Sequence, residues 1–453
     1  MALIQPFRAL RYNPQGVPQL GAVLAPPYDV ITPEEQQRLY QCSDYNIVRL
    51  ILGSQYPTDR EGDDRYSRAK AAFDAWCAQG VFSRDPTLAF YVIEHQFSDF
   101  ETDSSPKQSA PDKGFQQSRL GFIALLGFED SMERTAYRHE ATLTAPKADR
   151  KKLLEAIPAN LSPIFCLYPD PDGIVQSLLR EHVRKTAPTV EAPFKQDTVR
   201  LWVATDASWI QEIQRQLAAA TVLIADGHHR FEVAYARKHQ YPALMSYFVS
   251  LQDPALCMHA IHRVVRRDSE TGEEPLSQLC TLEATQNLSS VMMRLGHSQK
   301  QPVQPSEPGA FHGQFGFYNG KVWYYVSLKP RSVESWLGTC SIPQPIASLD
   351  VCLLQQFLLP NLVNHASKVG QSGKVLDEQS EAMWKIIDYT ASAKQAVCAV
   401  DRGQGTEAWF LRAMSLEQIY SLAARGFILP PKSTYFYPKV LSGLTINPLD
   451  NMA

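Results

Sequence analysis

No two of the eight cysteines are close enough in sequence to form a C-x-x-C pair, which argues against a zinc ribbon or a dithiol redox site. No apolar run approaches the roughly 20 residues that span a bilayer, and the first residues lack the apolar core of a secretory signal. Basic and acidic residues are nearly balanced, 44 against 47, and form no long block of one sign. We therefore expect a cytoplasmic protein that binds neither nucleic acid nor membrane.

The chain is long enough for two or three domains, because its 453 residues exceed what one ordinary core can organise. The best boundary is the polar segment 268–275, which contains glycine and proline and follows an apolar run. We predict an N-terminal domain over 1–267 and a smaller domain over 276–453, with segment 429–444 returning to the cleft of the first. Strand and helix patterns occur in both halves, so the fold class is α+β with mixed sheets. The apolar run 45–52 is one predicted strand.

The most informative segment is Asp226-Gly227-His228-His229-Arg230. The apolar, β-branched run 221–225 before it predicts a buried strand, and the helix formers of 231–238 after it predict a helix. The chain should therefore run from strand through a glycine turn into a helix. A helix that starts in such a turn presents free N–H groups and a partial positive charge, which suits an anion.

The side chains of the same turn add chemistry. Arg230 supplies a planar donor fork that matches phosphate, while His228 and His229 supply groups that can move protons or hold a cation. Adjacent side chains diverge, so the two histidines are not expected to bind one metal ion together. The structural alternative is that Arg230 pairs with a carboxylate and that His229 caps a helix.

A second polar cluster contains His139, Glu140 and Lys147. It begins like a metalloprotease motif, but position 143 is leucine where the second histidine would stand. His139, Glu140 and Lys147 are candidates for a substrate or phosphate role. The alternative is a set of solvated charges in which Asp149 caps a helix.

Two further candidates lie near the chain ends. Asp29 follows two prolines that stiffen the backbone, so it could act as a general base or a Mg²⁺ ligand, or only as a turn residue. Lys432 stands at P-loop spacing from Gly426, but Pro431 removes a backbone donor that a phosphate cradle needs. A P-loop is therefore rejected. Lys432 and Lys439 could still reach a neighbouring cleft, or they are solvated lysines on a packed strand.

Taken together, these motifs resemble the domain-of-unknown-function family 1015. The matching pieces are Pro6–Arg11, Ala25–Ile31, His139–Glu140 with Lys147 and Asp149–Arg150, Ser162–Phe165, Asp226–Glu232, and Pro431–Lys439 with Ser442–Leu444. The family is similar in turn to a superfamily that includes the ParB partition nucleotidases, sulfiredoxin and an archaeal free serine kinase. The resemblance implies a ParB/sulfiredoxin-like N-terminal domain in which the Gly227 to Arg230 turn holds nucleotide phosphates. Sulfiredoxin chemistry needs a cysteine inside this turn, where two histidines stand, so sulfinic-acid reduction is not expected.

We therefore predict a nucleotide-dependent phosphotransferase, kinase-like, that acts on a small hydroxylated metabolite; a nucleotide hydrolase is the other enzymatic possibility. The alternative is a non-enzymatic nucleotide sensor or regulatory protein. ATP or ADP is the expected ligand, with Mg²⁺ as cofactor, and the oligomeric state is left open. The expected phosphate contacts are Gly227, His228, His229, Arg230, Lys147 and Lys432, the metal ligands Asp226 and Asp29, and the catalytic groups Asp29, Glu140 and His229.

Overall fold

The computed structural model describes residues 3–99, 117–266, 273–296, 313–364 and 386–449. Contacts divide the chain into two compact units. The first consists of 1–138, 142–257 and 436–453, and the second of 139–141 and 258–435. Segment 429–444 is therefore shared, its residues from Phe436 onward belonging to the first unit. Residues 268–272 of the predicted boundary segment lie outside the described residues, so a division at 267 stays a prediction.

A mixed sheet forms the centre of the first unit. In the described residues its strands follow one another across the sheet as Ala136–Tyr137, Val222–Asp226, Ile164–Tyr168, Ala243–Ser250, Gln117–Gly127, Phe90–Phe97, Asp197–Ala204 and Val190–Phe194, with Leu3–Gln5 also paired to Gln117–Gly127. Ala243–Ser250 runs parallel to Ile164–Tyr168 and antiparallel to Gln117–Gly127. Two small pairs accompany the sheet, Leu10–Tyr12 with Phe82–Arg84 and Asn447–Pro448 with Ala159–Asn160.

Helices of the first unit bury apolar residues either against this sheet or in a separate second core. They are Pro33–Cys42, Val48–Ile51, Arg65–Ala78, Met132–Thr135, Thr144–Ala156, Ile174–Lys185, Ala207–Leu217 and His228–Tyr235, with 3-10 turns at Leu20–Ala22 and Tyr28–Val30. Strand Gln117–Gly127 shows the period-two pattern that places alternate side chains on one face, because Leu120, Phe122 and Ala124 all enter the main core. A second core lies around Phe73 and Trp76 of helix Arg65–Ala78.

The strand predicted over 45–52 is wrong, because residues Val48–Ile51 form a short helix. The side chain of Asn46 explains the helical start: its Oδ1 accepts from the Val48 N–H at 2.9 Å, and its amide donates to the carbonyl of Ala22 at 2.8 Å. The helix is buried almost all round. A helix without a polar face shows no helical period in sequence, so its apolar run looked like a buried strand.

The second unit is built on an antiparallel sheet. Its strands, within the described residues, follow one another as Cys280–Thr285, Trp323–Leu328, Gln314–Tyr318, Gly405–Phe410, His262–Arg266 and Ile387–Thr390. Its helical segments are Glu273–Leu279, Leu288–Arg294, Pro330–Leu337, Gln344–Ala347, Asp350–Cys352, the π-helical Leu353–Leu358, Leu359–Asn364, Ala393–Asp401 and Leu416–Ala424. The strands Cys257–His259 and Tyr435–Tyr437 lie where the chain passes from one unit to the other. The prediction of an α+β protein with mixed sheets is confirmed.

None of the helices in the described part of the chain is long and apolar enough to cross a membrane.

Gly121 provides a test of the packing in the central sheet. A Cβ at this position would lie 2.4 Å from the carbonyl oxygen of Phe248 and 2.8 Å from the ring of Tyr247. We expect Gly121→Ala to lower the free energy of unfolding by about 1–3 kcal/mol, because the sheet must open to admit a methyl group. Urea unfolding followed by circular dichroism measures this loss. Gly16→Ala is the control, since its Cβ would meet nothing closer than 3.9 Å, and a Gly121→Ala protein as stable as this control would contradict the packing described.

Candidate functional site

The candidate site begins at Gly227, where strand Val222–Asp226 ends and helix His228–Tyr235 starts. Gly227 has a φ of 97°, in the left-handed region that favours glycine. A Cβ there would also lie 2.7 Å from Cγ2 of Ile164. The strand, glycine turn and helix expected from sequence are confirmed, and both backbone angle and space require glycine at this point.

The carboxylate of Asp226 lies between two cations. Nη2 of Arg230 donates to its Oδ2 at 2.9 Å, and the Lys439 ammonium donates to its Oδ1. The side chains of Arg230, Asp226 and Lys439 are only 13%, 12% and 9% exposed, respectively. Two cations on one carboxylate leave a local excess of positive charge where water screens it poorly, which is the electrostatic condition for binding an anion.

The guanidinium of Arg230 is held in place by the protein and keeps unused donor capacity. Its Nη1 donates to the carbonyl of Pro163 at 2.5 Å, which fixes its direction. Its Nε is buried and has no hydrogen-bond partner among the described residues. Arg230 therefore pairs with a carboxylate, as the structural alternative required. Its role in binding phosphate stays a prediction.

The two histidines of the turn differ in their surroundings. Nε2 of His229 accepts a hydrogen bond from the backbone N–H of Leu143 at 2.9 Å, at the start of helix Thr144–Ala156. A ring nitrogen that accepts is unprotonated, so this contact favours the neutral ring with its proton on Nδ1. His228 is buried. His229 thus contacts the residue that precedes helix Thr144–Ala156, and a catalytic or phosphate role for either ring stays a prediction.

Although the predicted phosphate contacts included only the other lysine of its segment, Lys432, Lys439 belongs to the site. The fully buried Arg119 positions it: Nη1 of Arg119 donates to the carbonyl of Tyr437 at 3.1 Å, and Nη2 to that of Pro438 at 2.7 Å. These two bonds fix the backbone immediately before Lys439. The sequence did point to this lysine, since Lys439 is the last residue of Pro431–Lys439, one of the segments that resemble the family.

Lys147, a predicted phosphate contact, lies in a cluster around Glu232. This carboxylate accepts from Arg138 at 2.9 Å, from the Thr142 hydroxyl at 2.7 Å and from Lys147 at 3.2 Å. Burial raises the pKa of Glu232, but Thr142, Lys147 and Arg138 outweigh burial, so the net shift is downward. The cluster ties helix Thr144–Ala156 to helix His228–Tyr235, and the phosphate role of Lys147 stays a prediction.

Tyr28 lies beside the cations of the site, next to the predicted Asp29. The guanidinium of Arg150 stacks over its ring at 3.8 Å from the centroid. Burial, followed by the charge of Asp29, raises the pKa of Tyr28, while Arg150 and Arg230 lower it by less. Its hydroxyl thus stays protonated, and it makes no hydrogen bond within the parts of the chain that are described. Asp29 itself is exposed in the turn Tyr28–Val30.

Glu140 and Lys432, the remaining candidates, belong to the second unit. The Glu140 carboxylate accepts from the backbone N–H groups of Lys432 at 2.9 Å and of Ser433 at 3.2 Å. Lys432 has a φ of 58°, and successive N–H groups in such a turn form a concave anion site, which Glu140 occupies. Glu140 therefore anchors this turn. A catalytic role for Glu140 and a phosphate role for the Lys432 side chain stay predictions.

The predicted metal ligands are Asp226 and Asp29. Asp226 is bound to two cations. Across the described ranges, no group of three or more His, Cys, Asp or Glu side chains is arranged to hold a metal ion. Magnesium binding stays a prediction, and with this geometry it would need oxygens from the ligand itself.

One protein family matches most of the chain. Its model, described as "Protein of unknown function (DUF1015)", covers residues 4–352. No curated protein matches the chain.

Solved structures show a partial likeness. The free serine kinase in complex with AMP is 11% identical with a TM-score of 0.33, over 70% of this chain and 91% of that chain. A conserved hypothetical protein from Pyrococcus furiosus is 11% identical with a TM-score of 0.34, over 73% and 97%. SbnI with a C-terminal truncation, from Staphylococcus aureus, is 9% identical with a TM-score of 0.33, over 73% and 90%. Such TM-scores do not establish a shared fold, so the superfamily relationship stays a prediction.

The Glu232 cluster generates a prediction about acid stability. Because the pKa of Glu232 is lowered in the folded state, its ion pairs stabilise the protein above the ordinary value of 4.5 and lose this effect as the pH falls through the lower folded value. We expect Glu232→Gln to be less stable than the wild type near neutral pH, with the difference shrinking in acid. Urea unfolding at a series of pH values measures it.

Glu133→Gln is the matched control, because Glu133 contacts the same Arg138 at 3.7 Å but is exposed. This variant should unfold like the wild type at every pH. If the free energies of unfolding of Glu232→Gln and the wild type differ by the same amount at every pH, the ion-pair account is contradicted.

Proposed function

The chain belongs to the DUF1015 family, and from the geometry of its site we propose that the first unit binds a nucleotide by its phosphates and transfers a phosphoryl group to a small hydroxylated metabolite. The observation that carries this function is the single carboxylate of Asp226 shared by Arg230 and Lys439 beside a glycine turn.

The cations contribute more to such binding than the helix start does. A hydrogen bond to a charged group contributes about 1.5–3 kcal/mol. A helix N-terminus contributes only about 0.3–1 kcal/mol. Arg230 and Lys439 therefore supply most of the attraction. Gly227 and the first N–H groups of the helix help to orient the bound phosphate, because a glycine lets phosphate oxygens approach the backbone.

Phosphoryl transfer asks little covalent chemistry of a protein, since charge neutralisation and positioning do most of the work. Arg230 and Lys439 neutralise the phosphates, and the protonated hydroxyl of Tyr28 donates to a phosphate oxygen. Asp29, exposed next to Tyr28, takes the proton of the acceptor hydroxyl. A nucleotide is the ligand to test first because the Gly227 to Arg230 segment resembles a nucleotide-binding turn.

Replacement of Arg230 tests the binding step. We expect Arg230→Gln to weaken ADP or pyrophosphate binding by about 10- to 150-fold, the equivalent of one hydrogen bond to a charged group. Isothermal titration calorimetry measures the affinities. Arg237→Gln is the matched control: Arg237 also belongs to the first unit and pairs with Glu155, but it lies beyond the end of helix His228–Tyr235.

Arg237→Gln should bind like the wild type, and circular dichroism should show both variants folded. If folded Arg230→Gln binds ADP and pyrophosphate as tightly as Arg237→Gln, the turn is not the phosphate site. Incubation of the wild type with ATP or ADP and a panel of hydroxyl acceptors, serine among them, then tests transfer. Binding without turnover would identify a nucleotide sensor and would overturn the enzymatic part.

A further inference from the structure

We infer that Asp226 sets a minimum charge on the ligand, so that the site takes phosphate groups with at least two negative charges and rejects singly charged anions. The terminal phosphate of a nucleoside diphosphate has the required charge, and a phosphodiester does not. This specificity rests on the proposed function, because it concerns the same phosphate site.

The charge balance follows from the contacts. Arg230 and Lys439 bring two positive charges, and Asp226 brings one negative charge that already contacts both. The neighbouring Arg150 is paired with Asp149 at 2.7 Å from Nε to Oδ2, and it stacks on Tyr28. Asp149 also pairs with Arg65 at 2.5 Å, so two arginines share this carboxylate, and the negative charge of Asp29 beside Tyr28 offsets their excess. The pair of cations around Asp226 decides the balance.

Any incoming anion must compete with Asp226 for these two cations. Asp226 is part of the chain, four residues before Arg230, so it acts as a competitor at high effective concentration. A singly charged anion that displaces it exchanges one negative charge for another and gains no Coulomb energy. A doubly charged anion gains an additional attraction to both cations in a poorly screened place. The site therefore discriminates between singly and doubly charged anions.

Displacement also changes what Asp226 can do. While Arg230 and Lys439 hold its oxygens, the carboxylate is a poor metal ligand, because a metal ion would meet two positive charges at short range. Once a phosphate has taken both cations, the carboxylate lies next to phosphate oxygens. The magnesium role predicted for Asp226 therefore requires this exchange first.

The test compares two probes that differ mainly in charge. Methyl phosphate is doubly charged at about pH 8 and dimethyl phosphate is singly charged. Each is titrated against wild-type protein carrying labelled ADP, at constant ionic strength. We expect methyl phosphate to compete at least about tenfold more strongly, the effect of one added attraction at short range. Equal competition by the two probes in the wild type would overturn the inference without any variant.

Charge variants then locate the effect. In Asp226→Asn, methyl phosphate should compete only about threefold more strongly than dimethyl phosphate, or less. The main change should be tighter binding of dimethyl phosphate, because the internal competitor has lost its charge. Lys439→Gln should weaken the binding of methyl phosphate more than that of dimethyl phosphate, because Asp226 neutralises the remaining cation, Arg230. The two variants change charge in opposite directions, so an unfolded Asp226→Asn still leaves Lys439→Gln as a test.

Glu155→Gln is the control, since Glu155 pairs with Arg237 away from the turn, and it should keep the wild-type ratio. An Asp226→Asn protein that folds and keeps the wild-type ratio would contradict the role of Asp226. Failure of ADP, pyrophosphate and both probes to bind wild-type protein would instead refute the proposed function. The two failures are thus distinguishable.

Discussion

The ion pairs of Asp226 with Arg230 and Lys439 are the interaction on which the site depends. They bring a turn in the middle of the chain together with a segment near its end. Because the three side chains are almost buried, their charges interact more strongly than the same groups would on an exposed surface. A single carboxylate cannot balance two cations, and this excess of positive charge is the basis of the proposed anion site.

The scaffold fixes this arrangement from two sides. Gly227 allows the chain to turn under Ile164 and to begin the helix that carries Arg230. Arg119, fully buried in a central strand, binds the two carbonyls that precede Lys439. A buried arginine that meets backbone carbonyls is costly to desolvate, and removing such a group is usually more harmful than its net contribution suggests. We regard it as a positioning residue for Lys439.

Sequence reasoning succeeded where the determinants are local. The strand, glycine turn and helix around Asp226 follow from a β-branched run, one glycine and a stretch of helix formers, all within residues 221–238. It failed at Val48–Ile51, where burial on all sides removed the helical period. The contact between Lys439 and Asp226 was missed because the two residues are 213 positions apart, and no periodicity reports such a contact. Glu140 accepts from the Lys432 N–H, 292 residues away in sequence, so its role in anchoring that turn could not be predicted from sequence either.

A crystal structure with bound ADP tests the central claim most directly. We predict density for the terminal phosphate between Arg230 and Lys439, within hydrogen-bond distance of the first N–H groups of helix His228–Tyr235, and Asp226 displaced from at least one of its two cations. If the nucleotide binds elsewhere on the first unit while both ion pairs of Asp226 stay intact, the account of the site is wrong.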